Sequence, residues 1–223
     1  MTSTRATTGH VSHVSHVPAP ARTDVAPPAP VPPDVTPGSS GTFRLLGAAL
    51  AAGAGAYGTT FVLTGDGAEQ GSFAISLTGL FFQLGVFALL AAMWRTGATG
   101  TTRLARGMLV VESVVLGIAT VQSVLTLPTG NGEWSTLATV LDPFWPLSML
   151  GMAVIGVKVA VAGRWRRALR AWPVVAESWV FVAVPALAVL GPAVGSVVAG
   201  VHFLLGYTVL GLLLAIRPEL TRR

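Results

Sequence analysis

From Leu45 to Ile216 the sequence runs through six apolar stretches of about 20 residues, separated only by short polar segments. A stretch of that length crosses the ~30 Å hydrocarbon core of a bilayer as a helix rising ~1.5 Å per residue. Hydropathy places the stretches at 45–64, 72–94, 105–127, 143–162, 171–190 and 193–216. Within lipid every backbone N–H and C=O must find a partner inside the chain, so such spans are helices. The short alternating strands of a membrane barrel are absent from the sequence. The expected fold is therefore all-α, a polytopic six-helix transmembrane bundle over residues 44–223. Composition agrees, with 52% hydrophobic residues, 10% charged and a mean hydropathy of +0.69.

Residues 1–43 are of another kind. They hold 8 of the 15 prolines and no long apolar run, too little apolar surface to offset the entropy of ordering. A disordered Pro/Ala/Thr/Ser-rich cytoplasmic tail is expected, polyproline-like from Pro18 to Pro37 and suited to recruiting a protein partner. A secretory signal is not expected, because the first apolar run begins only after Arg44. In the tail His10, His13 and His16 repeat in Val-Ser-His triplets. Such a tract binds nickel, copper or zinc weakly; with no further ligands beside it, a solvated repeat is the simpler reading and no metal site is assigned.

Basic residues in short loops are retained on the cytoplasmic side, which orients the bundle. Arg44, then Arg95, Arg103 and Arg106, then Arg164, Arg166, Arg167 and Arg170, then Arg217, Arg222 and Arg223 fall in alternate connections. The intervening connections carry Asp66, Glu69 and Glu133 and no basic residue. Both termini are thus expected in the cytoplasm and the chain in the cytoplasmic membrane. Trp94, Trp165 and Trp172 at the inner edge and Trp134 and Trp145 at the outer edge fit aromatic interface belts. The net charge of +5 follows from this arrangement; it predicts contact with anionic inner-leaflet lipids, and no basic, aromatic-rich face supports a nucleic-acid partner. In composition and topology the chain resembles small multi-pass bacterial membrane proteins.

Finer signals concern packing. The small residues from Gly47 to Ala56 place helix 1 inside the bundle, and Gly191, Gly195 and Ala199 make helix 6 its partner. Asp142 before Pro143 reads as an N-cap with proline at the first helical position. Pro185 predicts a kink in helix 5. Glu112 and Glu177 follow the last arginine of their loops by similar distances, and Leu150, Gly151, Val154, Gly156 and Ala160 recur as Leu205, Gly206, Val209, Gly211 and Ala215. These echoes suggest a hairpin used more than once, though apolar helices rich in leucine and glycine also match by chance.

Ionisable groups inside spans are costly and are the default candidates for function. Glu112 lies ~9 Å beyond Arg106, Glu177 ~10 Å beyond Arg170 and Lys158 ~9 Å before Arg164. One carboxylate–ammonium–carboxylate layer is expected, serving either as packing glue or as a proton or cation relay. Deeper polar candidates are Gln83, Gln122, His202 and Tyr207. A bis-histidine haem is excluded because His202 is the only histidine of the spans; a pairing with Met149 or Met152 is the one haem arrangement left, and no cofactor is expected. There is no cysteine, no phosphate loop, no metalloprotease helix and no nucleophile elbow. The function expected first is a non-catalytic accessory or scaffold protein. The alternatives are a small proton- or cation-coupled transporter using Glu112 and Glu177, and then a membrane-embedded enzyme.

Overall fold

The computed structural model describes residues 40–64, 73–129 and 134–221, whose regular structure is entirely helical. In chain order the helices are α1 (Ser40–Thr64), α2 (Phe73–Thr96), α3 (Arg103–Thr126), α4 (Thr136–Leu141), α5 (Phe144–Ala162), α6 (Ala168–Glu177), α7 (Trp179–Phe203) and α8 (Val209–Ile216). A π-helical segment, Leu204–Thr208, joins α7 to α8, and a 3₁₀ turn, Pro218–Thr221, follows. Five helical stretches are long and apolar enough to cross a membrane: Ser40–Thr64, Phe73–Thr96, Arg103–Thr126, Thr136–Ala162 and Ala168–Ile216. Their outer faces carry large apolar side chains such as Leu63, Leu104 and Val189, each at least 75% exposed. Such a surface suits hydrocarbon rather than water.

The last stretch, of 49 residues, would extend ~73 Å if straight. It is folded back instead. Gly191 has φ 78° and ψ 170°, a region that only glycine enters without strain, and a Cβ on Gly195 would lie 2.5 Å from Leu187 Cα. Residues eight apart in a continuous helix are ~12 Å apart along the axis, so the chain reverses at Gly191.

Helix α1 packs against α2, α7 and α8. Methyl groups at Gly47 or Gly211 would meet backbone of the other helix at 2.5 Å, and the same holds for Gly200 against Gly58. Backbones approach this closely only where side chains are absent, which is how helices associate when lipid supplies no hydrophobic drive. The expected partnership of helices 1 and 6 thus uses Gly200 and Gly211, while Gly195 packs within its own hairpin. On its other face α1 meets α2, where Gly85 lies under Leu50.

At one end the arginine-bearing connections meet. Trp165 Nε1 donates to Thr96 Oγ1 at 3.0 Å, Arg166 N donates to Leu220 O at 2.9 Å, and Arg164 Nε lies beside Gly97. Trp165 is 1% exposed, so it is a buried pin between two connections rather than part of an interface belt. Trp94, 48% exposed, does sit at the surface, with Arg106 5.9 Å above its ring.

Several local expectations are corrected. Helix α1 starts at Ser40 because Phe43, 3% exposed, is already an apolar anchor in its first turn; residues 1–39, with His10, His13 and His16, lie outside the described residues. Asp142 is no N-cap. It has helical φ −55° and ψ −40°, whereas an N-cap needs extended backbone. The capping is done earlier, by Ser135, whose side chain accepts from Ala138 N at 3.2 Å and starts α4. The interruption expected at Pro185 falls at Ser178 instead (φ −73°, ψ 0°). There Ser178 Oγ donates to Val175 O at 2.8 Å, and a hydroxyl that competes for helix carbonyls loosens the ladder.

Candidate functional site

Helix α5 is the floor on which both intramembrane glutamates rest. Gly151 faces Glu112 of α3 so closely that a Cβ there would overlap the carboxylate, and Gly156 faces Glu177 and Pro173 of α6. Both glutamates are buried, at 4% and 2% exposure. Their helix positions explain this: small residues on α5 leave room for a carboxyl group where any side chain would exclude it.

Each carboxyl group accepts one hydroxyl hydrogen bond. Ser148 Oγ donates to Glu112 Oε1 at 2.6 Å, and Tyr207 Oη donates to Glu177 Oε2 at 2.5 Å. Glu177 Oε1 is buried with no hydrogen-bond partner. Buried unpaired charge costs several kcal/mol, which makes these two carboxyl groups the candidates for function.

Lys158 does not join them. It is half-buried, and no ion pair with either glutamate occurs among the described residues. The reason is helical spacing. Two residues beyond Gly156, Lys158 turns to the opposite side of α5 from Glu177, and seven residues beyond Gly151 it sits ~10 Å along the axis from Glu112. Counting from the arginines suggested a shared layer; azimuth separates Lys158 from Glu177, and depth separates it from Glu112.

The backbone around Glu177 is broken on two sides. Glu177 is the last residue of α6, Ser178 interrupts the path into α7, and Tyr207 belongs to the π-helical segment. A π segment leaves carbonyls off the regular ladder. Trp172 Nε1 satisfies two of them, donating to Leu205 O at 3.1 Å and Gly206 O at 3.0 Å. This tryptophan is therefore a brace for the site, a role its position at the helix edge did not reveal.

Above the glutamates lies an aromatic plug. Phe82 meets Tyr207 edge-on at 4.8 Å, Tyr57 stacks on Phe82 at 5.5 Å, and Phe203 lies 5.1 Å from both Tyr57 and Phe82. Trp179 stacks on Phe203, and its Nε1 is buried without a partner, as is His202 Nε2. Gln83 and Gln122 lie apart from the glutamates, in a polar cavity near α4. No group of three or more metal-ligating side chains occurs among the described residues.

The sequence reading did not single out Ser148 or Ser178, nor the roles of Trp172, Gly151 and Gly156. The glycines had left a trace, as members of the repeated Leu-Gly pattern. Neither the family models, nor the curated proteins, nor the solved structures compared with the chain give a match. The fold and site thus define a class only: an all-helical chain with helices able to span a membrane.

Proposed function

We propose that the protein is a small proton- or cation-coupled carrier of the cytoplasmic membrane, with six crossings, both termini in the cytoplasm and no catalytic step. The reversal at Gly191 supports the sixth crossing, and the meeting of the arginine-bearing connections with the C-terminal turn supports the orientation. The observation that carries the carrier reading is Glu177. It is a buried carboxyl at a helix break, held by a tyrosine of a π segment, with one oxygen unpartnered.

Discontinuous helices at an intramembrane carboxyl are the architecture by which carriers bind ions and change access. In this reading Glu177 exchanges one proton for one monovalent cation, so the buried charge is balanced in both loaded states. Tyr207 orients the carboxyl, and Glu112 tunes it through space. The aromatic plug blocks the path beyond, and the breaks at Ser178 and Leu204–Thr208 let α6 and α7 shift.

A non-catalytic accessory role is favoured by a different observation, the backbone-to-backbone glycine seam of α1 with α7 and α8, which builds a stiff bundle. Proteoliposomes decide between the two. The carrier reading expects cation-dependent proton flux, reported by an entrapped pH dye, that Glu177→Gln abolishes and Glu112→Gln reduces. Absence of flux in the parent protein with potassium, sodium or organic ammonium gradients would leave the accessory role standing.

A further inference from the structure

A second polar site lies away from the carboxyl pair. A cavity of about 170 Å³ is lined by Tyr57, Gln83, Gln122, Trp134, Asp142 and Trp145. Ser123 Oγ donates to Ala119 O at 3.1 Å, so it accepts from Gln83 Nε2 at 2.8 Å. This leaves Gln83 Oε1 as a buried acceptor with no partner, on a residue only 2% exposed. Gln122 Nε2 donates to Asp142 Oδ1 at 3.5 Å, and the exposed Asp142 has no cationic partner among the described residues.

The buried amide oxygen of Gln83 and the Asp142 carboxylate are both acceptors, and the hydroxyls of Tyr57 and Ser76 on the same wall can accept as well as donate. The rest of the wall includes the apolar ring carbons of Tyr57, Trp134 and Trp145, which suit alkyl groups. A matching ligand must donate hydrogen bonds, carry positive charge and present carbon to the rings. We propose that this cavity binds a small organic ammonium ion, a primary amine or a lightly alkylated one. Its N–H groups bond Gln83 Oε1 and the Asp142 carboxylate, and its alkyl groups lie against Tyr57, Trp134 and Trp145. The site requires no transport and no titration of Glu112 or Glu177, so it stands or falls independently of the carrier reading.

The test is a titration of the full-length protein in lipid nanodiscs with ethylammonium chloride, read by intrinsic tryptophan fluorescence. The expected result is a saturable change that sodium chloride at equal ionic strength and neutral ethanol do not produce. Asp142→Asn weakens the binding about tenfold, the scale of one charge-assisted contact. Because Asp142 is exposed, this variant keeps the fold, whereas Gln83→Leu also removes the bond to Ser123; Asp142→Asn is therefore the deciding change. A linear response, a response shared by sodium or ethanol, or an unchanged affinity in Asp142→Asn overturns the proposal.

Discussion

Glu112 and Glu177 are the same residue type, similarly placed in their spans and resting on the same helix, yet their surroundings differ. Glu112 sits within an unbroken helix and borders a groove of about 590 Å³ between α3 and α5, walled by Leu104, Val111, Leu147 and Leu150 and open to the apolar surface. Glu177 sits at a helix break, sealed by Tyr207, Pro173 and Gly156. The difference shows how burial alone misleads. Both carboxyls are shielded, but only Glu177 adjoins a break in the helix, and only Glu112 has open space beside it.

Packing at the α5 floor should break the comparison most strongly. Gly151→Val drives a side chain into the Glu112 carboxylate and is expected to cost about 3 kcal/mol, the upper end for overpacking, read as a fall in thermal unfolding temperature in detergent. Gly107→Val lies on the wall of the same groove with nothing within 4 Å of its Cβ, and should leave that temperature unchanged. Equal effects would mean that the groove does not have this shape.

Removing the hydroxyl partners separates the two sites by a smaller margin. Tyr207→Phe strips Glu177 of its single hydrogen bond in a sealed environment and should cost about 2 kcal/mol. Ser148→Ala should cost about 1 kcal/mol, because Glu112 borders an open groove and is not sealed in. The reverse order would contradict the assignment of Glu177 as the more enclosed group. Smallest of all is the effect of Glu177→Gln on stability. An amide keeps the bond from Tyr207, so the unfolding temperature should stay within the spread of ordinary neutral substitutions, about 0.5 kcal/mol.

How much of this was legible in the sequence depends on which force does the work. The spans follow from solvent matching along one dimension, and α2, α3 and α5 begin and end within about two residues of their expected bounds, the ordinary uncertainty of helix ends. The arginine pattern likewise reports which connections share an end, and Thr96, Trp165 and Leu220 join there. What hydropathy does not carry is azimuth and the identity of tertiary partners. Lys158 differs from Glu177 in direction and from Glu112 in depth once the facing positions on α5 are known. Trp165 and Trp172 have belt composition and belt position, yet each is drawn inward by an oxygen to bond. Asp142 looks like a cap because Asp-Pro is a strong local signal, but a short helix beginning at Ser135 had already taken that role. The π segment around Tyr207 has no local sequence mark, since its carbonyls are satisfied by Trp172, more than 30 residues away in the chain.

In the proposed carrier, Glu177 is the group that loads and unloads. Parent protein and Glu177→Gln, both shown to be folded by their unfolding temperatures, are reconstituted at equal density and the cation-driven proton flux into dye-loaded vesicles is recorded. The account predicts flux in the parent and none above protein-free vesicles in Glu177→Gln. Equal flux in the two would contradict it.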